Sequence, residues 1–254
     1  MRIARVARPD GPAFVEIFDD NVVLLEGHPF AGARRTDQVA PLANVRLLAP
    51  IIPSKVLCVG RNYADHAKEM GGDVPAEPLI FSKPATAVIG PGDEIVLPGL
   101  SQDVHHEAEL AVVIGRLTRN VAVEEALGSV LGYTCANDVT ARDLQASDGQ
   151  WTRAKGFDTF CPLGPWIATE VDPAAGLTVR CEVNGEVRQD GSTADLVFDV
   201  AQHIAYCAAF ATLLPGDILL TGTPAGVGPL QDGDTVTVSI AGIGELTNTC
   251  VNQS

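Results

Sequence analysis

The chain has 254 residues and a formal net charge of −15, from 17 Lys and Arg against 32 Asp and Glu. Hydrophobic residues make up 46% of it, which is enough for a core and excludes a disordered chain. The acidic balance disfavours nucleic acid and membrane as partners, because phosphates are bound chiefly through cationic side chains.

The N-terminal stretch contains no apolar signal core, and no segment has the apolar length that crosses a bilayer. Six cysteines are scattered along the chain without a CxxC pair. This pattern indicates buried thiols rather than disulfides or a zinc site. We therefore expect a cytoplasmic protein.

The pattern of residues 1–50 predicts short strands over 2–7, 13–18 and 21–27, with turns between them. The stretch LLAPIIPSK then carries two prolines and indicates a boundary near residue 50. We predict a small β-rich domain over 1–50 and a larger domain over 51–254.

The larger domain opens with predicted strands and one short helix. Gly71 and Gly72 end the helix, and a polar loop over 71–78 follows, of the kind that can move. The predicted elements are a strand at 56–60, the helix at 62–70, and strands at 79–84, 87–90, 94–98 and 104–114.

The second half of the chain mixes helices with hairpins. Predicted are a helix at 123–131, a strand at 132–140 leading into a helix at 140–145, a hairpin at 177–189, an amphipathic helix at 195–213 and a β-rich segment at 217–240. The fold class is α+β and strand-dominated, without the βαβ rhythm of a doubly wound nucleotide fold.

The stretch VHHEAELAVVIG, over 104–115, places two carboxylates at the start of an apolar strand. Side chains alternate along a strand, so Glu107 and Glu109 share one face with His105. The face is either a strand end in solvent or the edge of a core. In the second case a hard divalent cation would offset the two like charges.

Further polar residues could complete a site, although each also has an ordinary structural explanation. Asp138 is a metal ligand or a helix N-cap, with Arg142 and Gln145 following on the same helical face. His66 and Glu69, three residues apart, form a water-activating pair or a surface contact. Lys155 is exposed by default. The segment LTGTPAGVGP lacks the lysine of a phosphate loop, and we expect a turn that presents Thr223 to a ligand.

Seven motifs, in order over about residues 55–250, resemble the fumarylacetoacetate hydrolase family, and especially its shorter members. They are GRNYADHAKEM, FSKPATAVIGPGD, VHHEAELAVVIG, GYTCANDVTARDLQ, AKGFDTFCPLGPW, VNGEVRQDGST and LLPGDILLTGTPAGVGP. The resemblance implies a mixed β-sheet roll, a homodimer and a bound Mg²⁺ or Mn²⁺.

The resemblance also implies a role for individual residues. The metal ligands are Glu107, Glu109 and Asp138. The catalytic residues are His66, Glu69 and Lys155, and the substrate-binding residues are Arg61, Gln145 and Thr223.

The implied function is metal-dependent chemistry on acylpyruvate-type 2-oxo acids through a metal-stabilised enolate. C–C hydrolysis and oxaloacetate-type decarboxylation are the first candidates. The alternatives are isomerisation of 2-hydroxyhepta-2,4-diene-1,7-dioate, decarboxylation of 5-oxopent-3-ene-1,2,5-tricarboxylate in aromatic catabolism, and non-catalytic binding of 2-oxo acids. A phosphoester hydrolase is disfavoured because a phosphate-binding glycine loop before a helix is missing.

Overall fold

The computed structural model describes residues 1–253, which fold into three β-sheets with short helices around them. The strands are β1 Arg2–Val6, β2 Ala13–Phe18, β3 Asn21–Glu26, β4 Arg34–Pro41, β5 Leu47–Leu48, β6 Val56–Gly60, β7 Leu79–Lys83, β8 Val88–Ile89, β9 Glu94–Leu97, β10 Val104–His106, β11 Ala108–Ile114, β12 Val130–Asn137, β13 Thr140–Ala141, β14 Cys161–Ala168, β15 Thr178–Val183, β16 Glu186–Ser192, β17 Ile218–Leu220, β18 Gly228–Pro229, β19 Thr235–Ile240 and β20 Gly244–Asn252.

Five short α-helices accompany the strands. They are α1 Ala64–Glu69, α2 Val123–Ala126, α3 Arg142–Asp148, α4 Thr152–Lys155 and α5 Val200–Phe210, and single 3₁₀ turns lie between elements at Pro29–Ala31, Leu42–Asn44, Ala85–Ala87, Leu127–Ser129, Pro173–Ala175 and Thr193–Asp195. The prediction of a strand-dominated α+β fold with a mixed sheet is confirmed.

The largest sheet has 12 strands and runs in the order β4-β3-β2-β1-β14-β12-β11-β17-β6-β7, with β5 beside β1 and β8 beside β14. Most neighbours are antiparallel, whereas β17 pairs with β6 in parallel. The N-terminal strands join this sheet because β1 pairs with β14. The division into two domains near residue 50 stays a prediction.

Two smaller sheets complete the fold: β16-β15-β19-β20-β9 and β13-β10-β18. The five-stranded sheet and α5 cover one face of β11, where Leu110 and Val112 belong to the largest hydrophobic cluster. Ala111 and Val113 point the other way, into a second cluster. The alternation predicted for this strand is confirmed, and both its faces are buried.

Several predicted elements have different bounds from those expected. The single strand over 104–114 is divided at Glu107, because β10 pairs with β13 and β18 while β11 pairs with β12 and β17. The helix over 123–131 ends early, since Val130 already begins β12. The helix over 195–213 begins only at Val200, after a capping box formed by Asp199 and Gln202.

Two expectations concerned the cysteines and the membrane. All six cysteines are buried free thiols, as predicted. Among residues 1–253, no helix combines the length and the apolar character that a membrane crossing requires.

A buried histidine on α5 makes stability depend on pH. His203 is 1% exposed, and neither ring nitrogen has a hydrogen-bond partner within residues 1–253. Burial lowers the pKa of His203 from 6.5 to about 4. The unfolded chain therefore binds a proton more readily than the folded one, and the stability linked to this residue is complete above pH 6.5 and is lost as pH falls towards 4.

We predict that His203→Leu removes this acid sensitivity. Between pH 8 and pH 5 the wild-type free energy of unfolding should fall by about 2 kcal/mol more than that of the variant, from one histidine titrating only in the unfolded state. Urea unfolding at both pH values, at one protein concentration, measures the difference. Parallel losses in the two proteins would contradict this origin.

Candidate active site

Three carboxylates lie together in the largest sheet, where β11 begins and β12 ends. Glu107, Glu109 and Asp138 each offer an oxygen atom, and these atoms lie within 4.8 Å of one another. All three side chains are buried, with 3% or less of each residue exposed. The sequence predicted this group as the metal ligands.

Strand register brings the third carboxylate to the other two. In the antiparallel pair of β11 and β12, Ala108 is opposite Asn137 and Glu109 is opposite Ala136. The residue that follows β12 is Asp138, and its backbone N–H donates to the carbonyl of Glu107 at 2.9 Å. The start of one strand and the end of its neighbour therefore place their carboxylates at one point.

The two glutamates lie in different electrostatic surroundings. Burial and the neighbouring carboxylates of Asp138 and Glu107 raise the pKa of Glu109 well above its usual range. Burial alone would also raise the pKa of Glu107, but Lys155 and Arg142 hold it well below that range. Glu109 is thus the carboxylate of the group that most lacks a nearby positive charge.

Lys155 joins two of the carboxylates. Its Nζ lies 2.7 Å from Glu107 Oε2 and 2.7 Å from Asp138 Oδ2. Burial alone would lower the pKa of Lys155, but Asp138 and Glu107 raise it above its usual value. The ordinary expectation that Lys155 is exposed is wrong, since only 2% of it is exposed.

The alternative role of Asp138 as a helix cap is also wrong. The N-cap of α3 is Ala141, and the Oδ1 of Asp138 contacts the ammonium of the buried Lys83. Arg142 does not pair with Asp138 either: its Nη2 lies 2.5 Å from Glu107 Oε1. Asp138 lies between two lysines.

The donor set fits a hard divalent cation. Three carboxylate oxygens within reach of one another are the ligands that Mg²⁺, Mn²⁺ and Ca²⁺ prefer, and sulfur or imidazole ligands are absent from the group. The Gly222 N–H donates to Glu109 Oε2 at 2.6 Å, so a backbone contact fixes one of its two oxygens.

The predicted His66–Glu69 pair forms on α1. His66 Nδ1 lies 3.1 Å from Glu69 Oε2, and the other oxygen of Glu69 accepts a hydrogen bond from the Gly226 N–H at 3.0 Å. With Nδ1 directed at the carboxylate, Nε2 is the free nitrogen of the ring. Glu69 therefore ties α1 to the loop that follows β17.

One cavity of about 290 Å³ is lined by the three carboxylates and by His66, Arg142 and Lys155. Phe81 and Trp151, in edge-to-face contact at 5.3 Å, form an apolar wall of this cavity. The Lys155 ammonium lies 4.9 Å from the centre of the Phe81 ring, so this wall adjoins the charged groups. A methyl group on Gly60 would lie 2.6 Å from the Trp151 ring, so only glycine leaves room for the indole here.

The predicted substrate-binding residues also line this cavity. Arg61 adopts a positive φ of 58° and makes no side-chain hydrogen bond or ion pair within residues 1–253. Gln145 accepts a hydrogen bond from Arg142 Nη1 at 3.0 Å. The Thr223 hydroxyl donates to the Ala108 carbonyl at 2.9 Å, so its proton is committed to the protein. Their roles towards substrate stay predictions.

Two cations of the site received no role from sequence reasoning. Lys83 is fully buried at the end of β7, and Arg142 begins α3. A lysine on the inward face of a strand, in the stretch LIFSK, is the one local signal that could have identified Lys83.

Comparison with known proteins places the chain in a family. Residues 55–251 match the model of the fumarylacetoacetate (FAA) hydrolase C-terminal family, and residues 1–50 match the Rv2993c-like, N-terminal family. The chain belongs to the fumarylacetoacetate hydrolase family, as its motifs indicated.

The names of similar proteins describe several different enzymatic activities. The mitochondrial oxaloacetate tautomerase FAHD2A of Homo sapiens is 47% identical over 226 residues, which cover 84% of this chain and 72% of that protein. A 2-hydroxyhepta-2,4-diene-1,7-dioate isomerase structure from Mycobacterium marinum is 52% identical, with a TM-score of 0.92 over 100% and 99% of the two chains. A maleylpyruvate hydrolase from Sphingobium sp. SYK-6, in complex with manganese(II) and pyruvate, is 34% identical, with a TM-score of 0.82 and full coverage of both chains.

We predict opposite effects of Glu109→Gln on metal binding and on stability. The amide keeps an acceptor for the Gly222 N–H but removes a charge that its neighbours disfavour. In EDTA, the free energy of unfolding should equal or exceed that of the wild type. Mn²⁺ affinity should fall at least about 100-fold, since one of three charged ligands is lost.

Glu16→Gln is the matched control. Glu16 is also buried, but Arg35 contacts both its oxygens at 2.5 Å, far from the carboxylate group. This variant should lose stability and keep its Mn²⁺ affinity. Calorimetric Mn²⁺ titration and urea unfolding measure both quantities, and a Glu109→Gln protein that binds Mn²⁺ like the wild type would contradict the site.

Proposed function

We propose that the protein is a divalent-metal-dependent enzyme that moves a proton on a 2-oxo dicarboxylate, with keto–enol tautomerisation of oxaloacetate as the first candidate. The observation that carries this proposal is the group of three buried carboxylates at one end of a cavity that His66 also lines. Mg²⁺ or Mn²⁺ is the proposed cation, since both take oxygen ligands.

The ligands of that cation are Glu107, Glu109 and Asp138. A bound divalent cation supplies Lewis-acid polarisation of the 2-oxo oxygen, which makes the neighbouring C–H more acidic. Lys155 lies against two of these carboxylates, and its ammonium adds positive charge where negative charge develops on that oxygen.

The charges of the cavity favour a dianion. Three cationic side chains, those of Lys83, Lys155 and Arg142, contact Glu107 and Asp138 and equal the three carboxylates in number. With a divalent cation bound, the cavity carries an excess of positive charge that a dicarboxylate offsets. Arg61 lines the same cavity without an ion pair within residues 1–253, and we assign it the carboxylate distal to the keto group.

His66 is the proposed proton carrier. Its Nδ1 is directed at Glu69, which fixes the ring orientation and leaves Nε2 available to the substrate. We assign to Nε2 the removal of a proton from the carbon beside the keto group. Transfer of that proton from Nε2 to the 2-oxo oxygen then completes conversion of the keto form to the enol and frees Nε2 for the next turnover.

The M. marinum isomerase supports a second candidate, isomerisation of 2-hydroxyhepta-2,4-diene-1,7-dioate. That reaction also moves a proton, over a longer carbon chain, and the apolar wall of Phe81 and Trp151 suits such a chain. C–C hydrolysis and oxaloacetate decarboxylation each leave a pyruvate enolate when the C–C bond breaks. They differ in whether water attacks or CO₂ leaves.

The cytoplasmic location and the homodimer are proposals that rest on sequence reasoning alone. The same holds for the absence of nucleic acid and membrane as partners.

A substrate panel separates these reactions. We expect rapid Mg²⁺- or Mn²⁺-dependent loss of the ultraviolet absorbance of enol-oxaloacetate, abolished by EDTA and restored by added metal. Pyruvate formation from oxaloacetate, cleavage of acetylpyruvate and fumarylpyruvate, and isomerisation of the heptadiene dioate should each be slower. Equal tautomerisation in EDTA, or faster cleavage of an acylpyruvate, would contradict the proposal.

We predict that His66→Gln lowers kcat for tautomerisation about 100- to 10,000-fold, the usual contribution of a positioned acid–base group. Mn²⁺ affinity should remain within a factor of three, because His66 forms no hydrogen bond to Glu107, Glu109 or Asp138 within residues 1–253. His105→Gln is the control, since His105 contacts Asp103 at 2.8 Å and does not line the cavity. Similar losses of kcat in both variants would contradict the role of His66.

A further inference from the structure

The motif VNGEVRQDGST contributes a buried amide to which neither the sequence nor the mechanism assigns a role. Gln189 lies on β16, in the five-stranded sheet rather than in the sheet that carries the carboxylates. Only 1% of it is exposed. The register of β15 and β16 shifts just before it, so that Gln189 is opposite the buried Cys181 and points inward.

Every hydrogen-bonding position of this amide is occupied. Its Oε1 accepts from the Ala108 N–H at 2.9 Å and lies 3.1 Å from His106 Nδ1. Its Nε2 donates to Thr223 Oγ1 at 2.7 Å and to the Pro224 carbonyl at 2.8 Å. The Pro224 carbonyl can only accept and the Ala108 N–H can only donate, which fixes the orientation of the amide.

These four contacts join the two segments that hold Glu109. Ala108 lies between the two glutamates of the carboxylate group. Thr223 follows Gly222, whose N–H donates to Glu109 Oε2 at 2.6 Å. Gln189 therefore connects the strand that carries the carboxylate to the loop that orients it.

Close backbone packing holds β16 against the same loop. A methyl group on Gly191 would lie 2.5 Å from Pro224 Cβ, and one on Gly226 would lie 2.1 Å from the Arg188 carbonyl oxygen. Gly226 also donates to Glu69 Oε1 at 3.0 Å. The glycines allow the approach that brings Gln189 within hydrogen-bonding distance.

We propose that Gln189 is a positioning residue for the metal site. Together with the direct bond from the Thr223 hydroxyl to the Ala108 carbonyl, its amide holds β11 against the loop after β17, and so holds the Glu109 carboxylate in the geometry that coordinates a divalent cation. If the Glu109 side chain had to be ordered when the metal binds, that ordering would lower the metal affinity. A side chain that is already held in the coordinating geometry avoids this cost. This inference rests on the proposed metal-dependent function.

The test compares Mn²⁺ binding by full-length variants. Gln189→Met keeps the length of the side chain and removes all four hydrogen bonds. Gln189→Glu keeps the acceptor for Ala108 and removes the two donated bonds to the loop. Electron paramagnetic resonance of free Mn²⁺, after EDTA treatment and desalting, should show an affinity about 10- to 100-fold below that of the wild type in both.

Asn248→Leu is the control for general destabilisation. Asn248 is another buried amide, and its Nδ2 donates to the carbonyls of Gly90 and Asp93 at 2.9 and 2.8 Å. It touches none of the proposed ligands. Circular dichroism melts in EDTA should show reduced stability for this control and for Gln189→Met, while the control alone keeps wild-type Mn²⁺ affinity.

Each outcome decides the question. Wild-type affinity in the Gln189 variants, or an equal loss in Asn248→Leu, overturns the positioning role and leaves the metal site intact. A wild-type protein that binds no Mn²⁺ overturns the proposed function itself, and the positioning role with it. If Gln189→Met fails to fold, the isosteric Gln189→Glu decides alone.

Discussion

Burying three carboxylates at one point requires positive charge beside them, because a charge removed from water is costly unless it is paired. Strand β7 and the helices α3 and α4 supply that charge. Lys83 from β7 and Lys155 from α4 contact Asp138, and Arg142 from α3 contacts Glu107. Among residues 1–253, the Glu109 carboxylate accepts a hydrogen bond only from the Gly222 N–H, which makes it the ligand that depends most on a bound cation.

Elements of two sheets and one helix meet around these carboxylates. The central sheet supplies the ligands, and the five-stranded sheet contributes Gln189, which crosses between layers to the start of β11. The helix α1 closes the cavity through Glu69 and its bond to Gly226. Chemistry at the carboxylates therefore depends on contacts between layers as much as on the ligands themselves.

Local pattern predicted the parts of the site that lie close together in sequence. Strand alternation placed Glu107 and Glu109 on one face, and helix spacing paired His66 with Glu69. No local sequence pattern shows which cations contact the carboxylates. Lys83, for example, lies 55 residues from Asp138 and meets it only through sheet pairing. Asp138 and Lys155 were identified through ordered family motifs, since each alone also suited an ordinary structural role.

Some elements were mispredicted because long-range contacts outweighed local preference. The apolar stretch before Val200 looked helical, but Asn62 bonds both the N–H and the carbonyl of Phe198 and holds that segment extended. Strand β14 received no prediction; it contains two prolines, which disfavour a strand, yet it lies between β1 and β12 in the middle of the sheet.

The central claim is the position of the cation, and anomalous X-ray diffraction from crystals soaked in Mn²⁺ and oxalate tests it most directly. The predicted result is one strong manganese peak within about 2.0–2.4 Å of an oxygen from each of Glu107, Glu109 and Asp138, with oxalate completing the coordination. A peak elsewhere, or no peak at saturating Mn²⁺, would contradict the claim.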